Sequence, residues 1–396
     1  MFRGAMHTGA SSGRDDGFFG GRLRGLLPLP RRPCLQKSLA MTNLNIKTKN
    51  DFHLSCPIPI ADYPHVLLAH GSGGRLMHQL IDKMFMPAFQ YKSFTECHDA
   101  AVLENPGARI AFTTDSYVIH PYIFPGGDIG ALAVYGTVND LAMAGARPMY
   151  LSLSFVLEEG LPMEVLWKIV QSIKKAAEVA GVQIVTGDTK VVDKGKGDGI
   201  FINTAGIGIL DHRAVISAQC VQAGDAIIVN GDLARHGMAI MAVREGLEFE
   251  SSIQSDVAPL NGIVQMVLDG GINVHCLRDL TRGGLSSALN EIASAARVGI
   301  ELDETKIPVH GDVAAACEVL GIDPLYVANE GKFVVFVSEQ DSIRALQIMQ
   351  SHPLGHEAKI IGRVNNSGTG IVQLKSKIGA ARILDMLSGE QLPRIC

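Results

Sequence analysis

An α+β protein of two domains is the architecture this sequence predicts, and three observations carry it. The 396 residues are 47% apolar and only 19% charged, which is enough to bury two substantial cores. Short β-branched runs alternate with stretches of helical spacing throughout. Glycine, at 43 residues, gathers in clusters such as "HGSGG", "FPGGD" and "TRGGL", the composition of loops that bring backbone close to a ligand.

Residues 1–65 read as an extension. Residues 1–40 carry seven basic residues against two acidic, with no sustained period and no clean apolar stretch, so an untranslated upstream region with Met41 as the start competes with an Arg-rich targeting peptide. From Val66 the globular pattern begins. "RIAFTTDSY" and "PMYLSLSFVLEE" have strand composition. "PMEVLWKIVQSIKKAAEVAG" is a helix: Pro162 opens it, Val165, Ile169 and Ile173 recur at spacing four, and Gly181 closes it. "VQIVTGDT" returns as a strand running into a polar loop. The first domain spans 66–212. The second, 213–387, holds a buried strand at Ala226–Asn230, the helix "GLSSALNEIASAARVG" with Leu285, Leu289 and Ile292 on one face, then strand "KFVVFV", helix "SIRALQIMQ" and strand "AKIIGRV". Residues 388–396 form a loose tail ending in Cys396.

Composition also excludes. A net charge of −5 offers no basic face for nucleic acid. No uninterrupted apolar run approaches the roughly 20 residues of a spanning helix. Seven scattered cysteines without a C-x-x-C suit a reducing cytoplasm rather than a disulfide framework or zinc ribbon, and the six besides Cys396 read as core or incidental.

Four aspartates stand at predicted strand ends in apolar surroundings: Asp99 in "CHDAAV", Asp115 in "FTTDSYV", Asp140 in "GTVNDLAMAGA" and Asp188 in "VTGDTKVV". Each alone is an ordinary turn residue. Brought together they would repel without a cation between them, and hard cations such as Mg²⁺ take oxygen ligands beside substrate phosphates. Gly71, Ser72, Gly73 and Gly74 precede a helical pattern and could turn backbone N–H groups toward phosphates, although they form neither a Walker A loop nor a G-x-G-x-x-G fingerprint. Lys190 is placed to hold a phosphate or oxyanion. Glu330, in "VANEGKF", is a candidate general base. Asn203 reads as a strand residue with an interior polar contact, and His352 and His356 as structural.

Taken in order, "AHGSGGR", "FTTDSYVI", "GTVNDLAMAGARP", "VTGDTKVV", "RDLTRGGL", "ANEGK" and "PRIC" closely resemble the HypE family of hydrogenase maturation factors, in the aminoimidazole ribonucleotide synthetase (PurM-like) superfamily. The match runs from Val66 to Cys396. The resemblance implies an α/β two-domain fold whose first sheet forms a homodimer and an ATP cleft. It implies ATP-dependent dehydration of an S-carbamoyl group on Cys396 to a thiocyanate, with Mg²⁺ held by Asp99, Asp115, Asp140 and Asp188. Asn139 and the glycine loop join those aspartates in binding the nucleotide, and Glu330 and Lys190 act near the tail thiol. The partners implied are the HypF carbamoyltransferase, which loads the thiol, and a HypC–HypD iron scaffold, which receives the cyanide. Sibling ATP enzymes, selenophosphate synthetase or thiamine phosphate kinase, are the first rival. A scaffold with a dead nucleotide site is the second.

Overall fold

The computed structural model describes residues 74–80, 101–105, 108–246, 253–387 and Ile395. The extension 1–65, the loop Gly71–Gly73, Asp99 and Cys396 lie outside the described residues.

The first sheet has five strands in the order β1-β2-β7-β5-β6: β1 (Ala101–Asn105), β2 (Ala108–Tyr117), β5 (Arg147–Glu158), β6 (Gln183–Val192) and β7 (Ile200–Leu210). A small hairpin, β3 (Ile123–Phe124) and β4 (Gly127–Asp128), lies between β2 and the helix Ile129–Met143. Only β5 and β6 are parallel, and the helix Met163–Ala180 joins them, as a parallel pair requires. That helix ends at Gly181 with φ 71°, the left-handed turn that glycine enters freely. Its Ile169 and Ile173 are buried while Val165 is half-buried.

The helix Ile129–Met143 begins on Asp128, whose side chain accepts from the N–H groups of Gly130 and Ala131. Most of its residues are buried, on every side. A helix apolar all round belongs between two layers, and this one lies between the first sheet and the second. Gly136 has a definite reason: a Cβ there would sit 2.3 Å from the Tyr117 hydroxyl.

The second sheet has seven strands, ordered β14-β13-β10-β12-β8-β11-β9: β8 (Ala226–Val229), β9 (Val274–Asp279), β10 (Gly299–Asp303), β11 (Phe333–Val337), β12 (Lys359–Asn365), β13 (Val372–Lys375) and β14 (Ala381–Ile383). Its central strands β8 and β11 are buried at every position. On one face the helix Gly284–Ala296 packs Leu285, Leu289 and Ile292. The helices Asn261–Asp269 and Ser342–Gln350 cover the other. Among the described residues no helix is long and apolar enough to cross a membrane.

Candidate active site

Period-two alternation on β2 sorts its residues between two faces. Ala111, Thr113, Asp115 and Tyr117 face the helix Ile129–Met143; Phe112, Thr114 and Ser116 face outward. Beside the covered face lie the segment Ile253–Leu260 and the stretch Ala328–Lys332 that leads into β11.

Asp140 Oδ2 accepts from the Thr113 hydroxyl at 2.9 Å. Tyr117 reaches Thr137 Oγ1 at 3.3 Å. Burial, then the charges of Asp115 and Asp140, hold the Tyr117 hydroxyl well above its ordinary value. Asp115 is raised by burial, with Arg282 and the Ser116 N–H opposing. Glu330 is 4% exposed. Burial first, then the carboxylates of Asp279, Asp256 and Asp115, push it well above the usual carboxyl range, against the opposing charge of Arg282. Burial among like charges favours the protonated carboxyl, and positive charge entering the site favours the base form.

Each residue of Ala328–Lys332 has a task here. Ala328 packs in the core cluster that contains Tyr117, Ile119 and Ile395. Asn329 Oδ1 accepts from Ala234 N–H at 2.7 Å. Glu330 N–H donates to Asp256 Oδ1 at 3.2 Å. Gly331 allows the close approach, since a Cβ there would meet the Asp256 carbonyl oxygen at 2.0 Å. Lys332 pairs with the buried Asp232 at 3.1 Å.

The penultimate residue of the chain joins this site. Ile395 is 4% exposed, forms an antiparallel bridge with Ile119, and its carbonyl oxygen accepts from His236 Nε2. Ile119 stands two residues beyond Tyr117 and four beyond Asp115 along the same edge of the site.

Two carboxylate oxygens, Glu330 Oε1 and Asp256 Oδ2, are buried without a hydrogen-bond partner among the described residues. Buried carboxylate oxygens want either a proton or a cation. With Asp115 and Asp140 they offer the oxygen ligands that Mg²⁺ takes, although among the described residues no three of these four carboxylates bring their oxygens within one coordination sphere.

Several expectations change. Asp140 is not at a strand end; it lies in the last turns of the helix Ile129–Met143. Asp188 and Lys190 are not gathered with Asp115 and Glu330 in one chain. Register places Ser116, Asn203, Ser154 and Asp188 in one row, on the outward face. β6 is three inter-strand steps from β2, about 14 Å. There Lys190 and Asp188 form an exposed ion pair at 3.0 Å. Asn203 likewise points outward, its amide donating to Asp115 O at 2.8 Å and Ser116 Oγ at 2.9 Å, rather than inward. The strand "VQIVTGDT" continues to Val192 before its loop.

Asn139, expected at the nucleotide, is 2% exposed and clamps backbone instead. Its Nδ2 donates to Ala258 O at 3.1 Å and Glu330 O at 3.4 Å, and its Oδ1 accepts from Leu260 N–H at 2.7 Å. Gly74 is buried at the start of the helix Arg75–Leu80, whose Arg75 N–H donates to Leu387 O at 3.1 Å. His352 and His356 serve their own turn. Cys276 and Cys317 are buried thiols outside any disulfide, and Cys220 is a half-buried one. Burial lifts Cys317 to about 11, which leaves it inert.

Sequence reasoning missed Tyr117, His236, Asp256, Asp279 and Arg282. Alternation from Asp115 could have found Tyr117, and "RDLTRGGL" contains both Asp279 and Arg282. His236 and Asp256 carry no local signal.

Residues 97–210 match the N-terminal domain, and residues 222–375 the C-terminal domain, of the AIR synthase related proteins. The chain is 51% identical over 330 residues to the carbamoyl dehydratase HypE of Cupriavidus necator, covering 83% of this chain and 94% of that protein. A crystal structure of a HypE–HypF complex superposes with TM-score 0.74 at 48% identity, covering 78% of this chain and 99% of that one. One of HypE in complex with ATP superposes with TM-score 0.71 at 46% identity, covering 84% and 100%. This two-domain PurM-like chain therefore belongs to the HypE carbamoyl dehydratase family, enzymes of hydrogenase maturation.

Proposed function

We propose that the chain is an ATP-dependent dehydratase of an S-carbamoyl group carried on its own Cys396, producing a thiocyanate. The observation that supports this best is the seating of Ile395 against Ile119, one peptide bond before the thiol residue and beside the Glu330 cluster. In the reaction the carbamoyl oxygen takes the γ-phosphoryl group of ATP and leaves as phosphate. Both N–H bonds break and the C–N bond becomes triple, so the products are the thiocyanate, ADP, phosphate and a proton.

Glu330 receives an N–H proton in this reading, once positive charge at the cluster has lowered its own affinity for one. Asp115 and Asp140, with Asp99 from outside the described residues, would hold Mg²⁺, which when bound neutralises phosphate charge. Gly71–Gly74 would approach the phosphates. The apolar surroundings of Ile395 keep water from the activated group. Lys190 and Asp188 act through a homodimer: the open face that carries them is the surface a second copy covers. The domains are 66–212 and 213–387, with the tail 388–396 as a swinging arm in a cytoplasmic enzyme. A HypF carbamoyltransferase loads Cys396 and a HypC–HypD iron complex receives the cyanide. One relative's structure is of a HypE–HypF complex.

The test is the mass of the C-terminal peptide after incubation with HypF, carbamoyl phosphate and ATP, beside Cys396→Ala. The expected result is a carbamoyl adduct on Cys396 that loses one water only with ATP and Mg²⁺. An absent adduct, with HypF active on another acceptor, overturns the reading and returns the sibling kinases.

A further inference from the structure

We propose that His236 is a positioning residue for the tail, a buried latch whose ring N–H fixes the backbone of Ile395 and with it the register in which residue 396 is presented. Its purpose rests on the dehydratase reading above; its existence does not.

His236 is fully buried in the first turn of the helix Arg235–Arg244. Both ring nitrogens have partners. Nδ1 lies 2.8 Å from Ser255 Oγ, and Nε2 faces the Ile395 carbonyl oxygen. The tautomer follows from Ile395, whose carbonyl oxygen can only accept, so the ring proton sits on Nε2, pointing at the tail. Nδ1 is then the acceptor, and the Ser255 hydroxyl, whose Oγ also accepts from Val257 N–H at 3.2 Å, donates to it. Burial disfavours the imidazolium, against the Ile395 carbonyl and the charge of Asp256.

The latch is itself anchored to the segment that carries Glu330. Ala234, just before the helix, holds φ 75°, a left-handed conformation that a residue with a Cβ adopts only under restraint. Asn329 Oδ1 supplies it by accepting the Ala234 N–H. Gly237 N–H donates to Ala328 O at 3.1 Å. Phe124 meets the imidazole edge-on at 5.5 Å. Ala328, Asn329 and Glu330 thus register the tail's slot, the latch and the reactive carboxyl against one stretch of backbone. An apolar slot alone holds the Ile395 side chain without direction; a hydrogen bond to its carbonyl sets the angle and depth.

The test is the rate at which iodoacetamide alkylates Cys396 in the full chain, read from the mass of the C-terminal peptide so that other cysteines do not contribute. It needs neither ATP nor HypF, so its failure and that of the dehydratase reading are separate results. His236→Ala and His236→Phe should raise the rate about tenfold, the scale of one lost hydrogen bond. His236→Gln, whose amide can donate to the carbonyl, should stay near wild type, a rescue that a merely structural role would not produce. Ser255→Ala should fall between. If His236→Ala does not fold, His236→Phe keeps the ring and carries the test with Ser255→Ala. Wild-type labelling in His236→Phe, or a His236→Gln rate equal to that of His236→Phe, overturns the latch.

Discussion

The two faces of the first sheet are built from alternate residues of the same strands and meet opposite fates. On the covered face, Thr113 and Tyr117 are buried and Asp115 half-buried beside the helix Ile129–Met143, and the proton affinities of Asp115 and Tyr117 are raised by burial. On the open face, Phe112, Ile207 and Tyr150 form a row exposed by about 40% each (42%, 41% and 42%), and Asp188, held by Lys190, is shifted downward. Asp115 and Asp188 are therefore shifted in opposite directions on opposite faces. Desolvation governs the covered face; hydrogen bonds and solvent govern the open one. The contrast with the second sheet is as sharp. There β8 and β11 are buried on both sides, whereas β6 is exposed at nine consecutive positions, an edge that proteins seldom leave uncovered.

The comparison breaks most visibly at Glu330. Glu330→Gln should lower ATP-dependent dehydration by about 10²–10⁴, the range of a general base, measured as thiocyanate formed on pre-carbamoylated protein. Near-wild-type turnover would move the base elsewhere. Next is Ile395→Asp, which puts a charge in the apolar slot. It should cut dehydration about 10²-fold by misplacing the tail, while thermal unfolding shifts little because the tail can leave its slot. Normal turnover would show that docking of Ile395 is incidental.

Asn139→Ala should cost about 3 kcal/mol in chemical denaturation, since three backbone partners lose their bonds at a buried site. A loss below ~1 kcal/mol would mean that the two domains do not depend on this clamp. The pH dependence sharpens the same contrast. Glu330 has a raised affinity for protons when folded, so below its ordinary value of 4.5 both states are protonated and it costs nothing. As pH rises above that value, the unfolded chain releases the proton while the folded one retains it, and stability declines. Glu330→Gln should therefore match wild type in acid and become relatively more stable as pH climbs, read from denaturation midpoints. A constant difference would refute the shift. The smallest effect belongs to the open face: Lys190→Ala should change monomer stability by no more than ~0.5 kcal/mol, as exposed pairs do.

Much of the fold was legible because its signals are local. The helix Met163–Ala180 has both a polar and an apolar face, a proline at its start and a glycine at its end. β7 alternates buried and exposed along its whole length. The helix Ile129–Met143 was not legible, and Asp140 was therefore put at a strand end. A helix buried on all sides has no polar face to mark its period. Within the site, Asp115, Asp140 and Glu330 were picked out by residue type and setting. Asp188 and Lys190 were picked out equally well, yet nothing in one dimension says which side of a sheet they occupy.

By itself, then, the sequence determined the types of the amphipathic elements, the family and the stock of acidic residues, because capping, periodicity and motif order act between residues close in the chain. Only the tertiary structure decided that Asn139 is a clamp, that Asp188 and Asp115 stand on opposite faces, and that His236 meets the carbonyl of a residue 159 positions away. Those outcomes depend on strand register and on layers packing together. Burial, which sets both the proton affinities and the directional bonds here, exists only once distant segments have met.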